Sequence, residues 1–134
     1  MSNVMYDRCK KALGLAEVNW ETSDIKASAV GAGYTYDDAH LSFADLTDVL
    51  DTVDVDDRAV ADNGDWSCGD LIPGPVVAPG DTMQRVIFWY DSGTPSTSWL
   101  LIYCDRNSDL TPIYRAGTGT AVVVPFPAAV FGFN

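Results

Sequence analysis

RVIFWY at residues 85–90 and WLLIY at residues 99–103 give the strongest strand signals in this chain of 134 residues. Both runs are rich in β-branched and aromatic side chains, which favour strands. Almost every residue of the connecting segment DSGTPSTS favours turns, so the two runs are predicted to pair as an antiparallel hairpin. Neither run alternates between apolar and polar residues, which indicates that both faces of the hairpin are covered. We therefore expect two central strands, with the core on one side and a second layer or a partner protein on the other.

Shorter segments extend the β pattern on both sides of this hairpin. IKASAV at residues 25–30 alternates and is followed by Gly-Ala-Gly, and a weaker strand is predicted at residues 57–62. TAVVV at residues 120–124 and AVFGF at residues 129–133 are predicted to form the last two strands. Short strands separated by Gly, Pro and Asp are typical of an antiparallel β-sandwich or barrel, so the predicted fold class is mainly β.

Two short helices are predicted before the hairpin. In the first, at the N-terminus up to residue 14, Met5, Cys9 and Leu13 fall on one face. A helix of about eleven residues is marginal in isolation, so this face must pack against the body or a neighbouring subunit. The second is predicted at residues 42–51, where SFAD has the form of a capping box and apolar residues recur at helical spacing.

Length and composition favour a single domain over residues 1–134. We expect an N-terminal helix or arm at residues 1–14 and a β-rich body at residues 18–134. No apolar run approaches the roughly 18 residues that would cross a bilayer, and the first residues lack the basic and apolar regions of a secretory signal. Three cysteines without a CxxC motif fit a reducing compartment such as the cytoplasm. The expectation is a soluble protein that is not secreted by this route.

Charge is concentrated in one part of the chain. The formal net charge is −11, and residues 37–70 hold eleven Asp with a single basic residue, Arg58. Such a field repels nucleic acid and anionic membranes, so neither is expected as a partner. The acidic stretch is interpreted as a solvated surface, a cation site or a docking face for a basic partner. The Asp-rich segment 51–57 has Asp-x-Asp spacing but lacks the glycine and the closing Glu of a calcium-binding EF-hand loop.

Residues for catalysis are scarce. His40 is the only histidine, which excludes most schemes that use imidazole as a base, and a zinc site would need more nitrogen and sulfur ligands. GTGT at residues 117–120 lacks the Lys of a phosphate-binding loop. We therefore predict no catalytic residues, no metal and no cofactor, and hence a protein that is not an enzyme. Four tryptophans leave a glycan-binding module open, with Trp66 as the best candidate for an exposed platform.

The order of several short segments carries a resemblance to a known family. The segments are MYDR at 5–8, NW at 19–20, DIK at 24–26, YT at 34–35, LSFADL at 41–46, VIFWYDSGT at 86–94, WLLIYCD at 99–105 and LTP at 110–112. Together they cover nearly the full length of the chain. In this order they resemble a family of small structural proteins of tailed bacteriophages.

The resemblance implies a structural virion component made in the host cytoplasm. The implied role is first of all a decoration, or cement, protein on the capsid exterior that bridges subunits of the major capsid protein. The resemblance also implies a homo-oligomer, of which a trimer is one form. A tail or head–tail connector component is the alternative within the same class.

Apolar residues near the two ends of the chain are the predicted contacts with coat or neighbouring copies. The candidates are Met5, Tyr6, Cys9, Leu13, Trp20, Phe131 and Phe133. Exposed apolar patches of this size usually mark interfaces. Core packing within the monomer is the alternative explanation for the same residues.

Overall fold

The computed structural model describes residues 3–72, 74–105, 113–121, 123–126 and 130–131. Its elements, in chain order, are β1 (Val4–Met5), α1 (Asp7–Gly14), β2 (Ile25–Val30), a 3₁₀ turn (Phe43–Asp45), β3 (Val49–Asp54), β4 (Ala59–Val60), β5 (Trp66–Ser67), β6 (Thr82–Met83), β7 (Arg85–Tyr90), a 3₁₀ turn (Pro95–Thr97), β8 (Leu100–Cys104) and β9 (Arg115–Ala116). Within these ranges, no helix has both the length and the apolar character needed to cross a membrane.

A five-stranded antiparallel sheet organises the molecule, in the strand order β1-β8-β7-β2-β3. The predicted hairpin is confirmed, since β7 pairs with β8 and Phe88 lies opposite Ile102. Strand β2 is confirmed at its predicted position and lies on the other side of β7, which makes β7 the central strand. Two small sheets pair β4 with β5 and β6 with β9. The mainly-β fold class is therefore confirmed.

The first face of the sheet carries the larger core. It is formed by alternate residues of β2 and β7, among them Ile25, Ala27, Val86 and Phe88, all buried. Phe88 makes an edge contact with Trp20, with ring centroids 5.6 Å apart, and packs against Phe126 at 5.2 Å. Helix α1 lies on the same side. The first face is thus closed by side chains from regions distant in sequence.

The second face is covered by residues 31–48, a segment without regular strands. Ile87 and Trp89 of β7 and Leu100 of β8 are buried on this face. Phe43 stacks on Trp89 with ring centroids 4.3 Å apart, and Leu46 packs against the same cluster. The apolar runs predicted that this side of the hairpin is covered by a second layer or by a partner protein. Residues 31–48 of the same chain form that second layer.

The first helix is shorter than predicted. It begins at Asp7, and Val4–Met5 forms strand β1 against β8. The Tyr6 N–H donates to the Leu101 carbonyl at 2.9 Å, which extends this pairing to the residue that precedes the helix. The backbone groups of these residues thus form hydrogen bonds in the sheet instead of in a longer helix. The helical face is still recognisable, because Cys9 and Ala12 are buried in the first core.

The second predicted helix is wrong beyond its first turn. The capping box at Ser42 is present, but only the 3₁₀ turn follows it, and Leu46 is already extended. Asp48 has a positive φ of 53°, which turns the chain into β3. Residues Val49–Asp54 then pair with β2. Pairing with the buried strand β2 stabilises this segment more than the helix that the spacing of three apolar residues suggested.

The predicted C-terminal strands are present only as isolated antiparallel bridges. Leu71 bridges Val124, Val76 bridges Ala121 and Trp66 bridges Phe131. Residues 122, 129 and 132–133 of the two predicted strands lie outside the described residues. The weak strand predicted at residues 57–62 is reduced to Ala59–Val60.

Candidate interaction surface

Four of the predicted interface residues are part of the interior. Met5, Tyr6, Cys9 and Trp20 are at most 2% exposed. Met5, Tyr6 and Cys9 are buried because β1 enters the sheet, and Trp20 is buried between Trp66 and Phe88. Their interpretation as contacts with coat or neighbouring copies is corrected: core packing within the monomer accounts for all four.

The remaining predicted contacts are only partly available. Leu13 and Phe131 are partly buried and pack against the first core. Phe131 is further fixed by the Trp66 N–H, which donates to its carbonyl at 2.8 Å. Phe133 lies outside the described residues. Among the described residues, the predicted contacts thus supply little free area for a partner.

The tryptophan platform for glycans is also absent at its predicted position. Trp66 is 4% exposed and stacks on Trp20, with ring centroids 4.9 Å apart and planes inclined by 18°. The Trp20 indole Nε1 donates to the Ser67 carbonyl at 2.9 Å. Trp66 therefore completes the core and offers no open face to a sugar.

His40 takes part in a chain of hydrogen bonds that holds residues 31–48 on the sheet. The Tyr6 and Tyr34 hydroxyls are 2.8 Å apart, and the Tyr34 hydroxyl is 2.9 Å from His40 Nδ1. Burial, and then the bond to Tyr34, raises the pKa of Tyr6, and burial raises the pKa of Tyr34 to about 12. Both phenols are therefore neutral at physiological pH. The histidine is thus engaged in structure and has no adjacent nucleophile among the residues bonded to it.

The cysteine thiols are equally unsuited to nucleophilic chemistry. Cys9 and Cys68 form no disulfide, and Cys9 and Cys104 are buried. Burial raises the pKa of Cys9 and of Cys68 to about 12, so very little reactive thiolate forms at neutral pH. In the part of the chain that the structure describes, no three His, Cys, Asp or Glu side chains are grouped to hold a metal ion.

An acidic slot opens beside β3, one of the two edge strands of the sheet. We define the acidic slot as the cavity of about 410 Å³ that is lined by Lys26, Thr52, Val53, Asp54, Asp56, Asp70, Leu71 and Ile72. Two contacts close its ends. The Gly69 N–H donates to the Asp56 carbonyl at 2.9 Å, and the Val76 N–H donates to Asp51 Oδ2 at 2.7 Å. Of the lining residues, Asp54, Asp56, Asp70 and Ile72 are exposed, so the slot is open to solvent.

The charge of the acidic slot is only partly compensated. Lys26 Nζ bonds Asp54 and lies 3.5 Å from Asp24, and the bond to Asp54 raises the pKa of Lys26. Asp70 Oδ1 accepts the Phe126 N–H at 2.9 Å. Among the described residues, neither Asp56 nor Asp70 has a cationic group within ion-pair distance. The slot therefore presents an excess of negative charge to any group that enters it.

Exposed aliphatic side chains flank the acidic slot. Ile72 is 67% exposed and Val76 is 45% exposed. Val123 is 49% exposed and precedes Val124, the partner of Leu71 in an antiparallel bridge, which places it beside Ile72. Exposed apolar groups that lie together can contribute contact area to a protein interface. We define Ile72, Val76 and Val123 as the aliphatic rim.

The slot could not be located from the sequence, although its acidic side belongs to the Asp-rich stretch. Asp54, Asp56 and Asp70 are recognisable as part of a possible docking face, but their proximity to Leu71 and Ile72 depends on the tertiary structure. Comparisons with protein-family models, with curated proteins and with solved structures find no significant match to this chain.

Proposed function

We propose that this chain is a non-enzymatic structural protein of a tailed bacteriophage, a decoration protein on the capsid exterior that bridges subunits of the major capsid protein. The proposal rests on two independent grounds. One is the resemblance of its segments to small structural proteins of these phages. The other is the distribution of side chains among the described residues, since His40 and the cysteines are at least partly buried and the acidic slot with its aliphatic rim is open to a protein partner.

The acidic slot with its aliphatic rim is the observation that supports binding most directly. Ile72, Val76 and Val123 expose apolar area beside Asp56 and Asp70. Apolar area supplies affinity, and uncompensated carboxylates supply orientation and the choice of a basic partner. No catalytic step is needed for this role.

Physical considerations favour the outside of a shell. A protein that binds the assembled lattice and not free subunits stabilises the lattice by mass action. A chain with a net charge of −11 is repelled by packaged DNA and is better suited to the exterior than to the lumen. In a symmetric shell, self-association into a cyclic homo-oligomer such as a trimer would present several copies of the same surface at once.

Binding to assembled shells tests the proposal. Purified protein is mixed with expanded shells of the phage that encodes it and with unassembled coat protein, and both mixtures are sedimented. We expect saturable binding to shells and little to free coat protein, and density on the outer surface in electron micrographs. Absence of the protein from shells and from virions would overturn the proposal, and density confined to the tail or connector would replace capsid decoration by that role.

A further inference from the structure

We propose that the acidic slot receives one arginine side chain from the partner protein, with the arginine stem against its apolar floor and the guanidinium among its carboxylates. This inference rests on the proposed function and deepens it, because it names the group that the coat protein inserts. The uncompensated charge, the apolar floor and the free strand edge each favour this occupant.

The floor of the slot suits the stem of a long cationic side chain. Val53 and Leu71 line the cavity together with the carboxylates. Leu71 is buried and fixed by Val124, whose carbonyl accepts the Leu71 N–H at 3.0 Å. Arginine and lysine bury their methylene groups against such surface while the charged end remains in polar surroundings. A metal ion or a small inorganic cation would gain nothing from this apolar floor.

The free edge of β3 adds backbone acceptors to the same cavity. The Val55 N–H donates to the Ile25 carbonyl, so hydrogen-bonded pairs alternate along β2 and β3 from this point. Thr52 and Asp54 then belong to the pairs whose backbone groups face away from β2. In agreement, the outward Thr52 N–H donates to Asp51 Oδ1 at 2.9 Å. The carbonyl groups of Thr52 and Asp54 therefore face the slot as additional acceptors.

Arginine fits this set of acceptors better than lysine. The carboxylate acceptors come from two segments of the chain, since Asp56 follows β3 and Asp70 precedes Leu71. A guanidinium has five N–H donors in a planar fork, so it can donate to several oxygen acceptors at once. Arginine is also enriched among the residues that dominate binding energy at interfaces, where surrounding contacts exclude water. The aliphatic rim supplies such contacts.

A pair of small peptides tests the slot without any phage component. The probe is acetyl-Gly-Arg-Gly-amide, and the control has citrulline, an uncharged analogue of arginine, in the central position. Amide NMR spectra of the full chain are recorded during titration at low salt. We expect saturable shifts at residues 52–56 and 69–72 with the arginine peptide, and binding at least about tenfold weaker with the citrulline peptide.

Two double variants distinguish binding by the slot carboxylates from the effect of the overall charge of the protein. Asp56→Asn with Asp70→Asn removes the two uncompensated carboxylates and is expected to weaken arginine-peptide binding by about tenfold. The control, Asp38→Asn with Asp62→Asn, removes the same charge from exposed positions outside the slot and is expected to change binding by less than about twofold. Equal responses to the two peptides, shifts located elsewhere, or undiminished binding by the slot variant would overturn the inference.

The same variants, tested on shells, separate this inference from the proposed function. If the wild-type protein binds shells and the slot variant binds them equally well, the arginine contact is wrong and the shell role remains. If the wild-type protein does not bind shells but the arginine peptide binds at residues 52–56, the shell role fails and the slot remains. Loss of shell binding in the slot variant but not in the control variant supports both the arginine contact and the shell role.

Discussion

The two faces of the central sheet are covered in different ways. The first face meets aliphatic and aromatic side chains from many parts of the chain, with Phe88 enclosed between Trp20 and Phe126. The second face meets one segment, residues 31–48, whose attachment includes hydroxyl and imidazole groups. The same strand, β7, thus contributes to an almost wholly apolar core on one side and to a hydrogen-bonded aromatic layer on the other.

The difference shows how the chain can maintain an irregular layer. A segment without regular strands leaves many backbone groups unpaired, and directional side-chain bonds then fix its position. The Tyr34 hydroxyl of this segment lies 2.8 Å from the Tyr6 hydroxyl, and within the sheet beneath it Trp89 Nε1 donates to Ser28 Oγ at 2.9 Å. We therefore expect the first face to depend mainly on buried volume and the second on specific polar atoms.

Removing volume from the first face should have the largest effect. Phe88→Ala deletes a fully buried ring and is expected to lower the free energy of unfolding by about 3–5 kcal/mol. On the second face, Trp89→Phe keeps an aromatic ring but loses the bond to Ser28, and about 1–3 kcal/mol is expected. Urea denaturation followed by circular dichroism measures both. A smaller loss for Phe88→Ala than for Trp89→Phe would contradict the proposed contrast.

A single hydroxyl should matter on the second face. Tyr34→Phe leaves the ring in place but removes the atom that joins Tyr6 to His40, so the fully buried Tyr6 hydroxyl loses its bond. A loss of about 1–3 kcal/mol in unfolding free energy is expected. Tyr36→Phe is the matched control, since no hydrogen bond of the Tyr36 hydroxyl is found among the described residues. Equal stability of the two variants would mean that the hydrogen-bond chain contributes nothing.

The sequence predicted the first face better than the second. Period-two alternation in β2 and the apolar runs of β7 and β8 depend on local patterns, and all three strands appear where they were predicted. Residues 31–48 have no such pattern, because their positions are set by bonds to residues distant in sequence. Tyr6 illustrates the limit: its apolar ring suggested an interface, whereas β1 pairing and the Tyr34 hydroxyl place it inside. The acidic slot was missed for the same reason.

Acid should weaken the second face through Asp45. Its carboxylate accepts the Leu41 and Ser42 N–H groups, at 2.7 and 3.2 Å, and these bonds lower its pKa. A lowered pKa means that the stabilisation is present above the usual pKa of an Asp and is lost as the pH falls through the lowered value. Asp45→Asn is expected to cost about 0.5–1 kcal/mol at pH 7 and to show less further loss between pH 5 and pH 2.

Thermal unfolding of the two proteins as a function of pH measures this effect. Asp38→Asn serves as the control for the change in charge, because Asp38 is exposed on the same segment. Parallel pH profiles for the wild type and Asp45→Asn would exclude Asp45 as the source of the acid sensitivity.

The smallest effect on stability is expected at the acidic slot, which belongs to neither face. Asp56→Asn with Asp70→Asn should change the free energy of unfolding by less than about 0.5 kcal/mol. The amide oxygen introduced at position 70 can still accept the Phe126 N–H. Asp56 forms no ion pair with a described residue. The double variant is expected to be slightly more stable than the wild type, since two negative charges are removed from an acidic region. Carboxylates that the fold does not require are then available for binding. A loss of more than about 2 kcal/mol in the same denaturation experiment would instead make them part of the fold, and the argument for a docking slot would lose its basis.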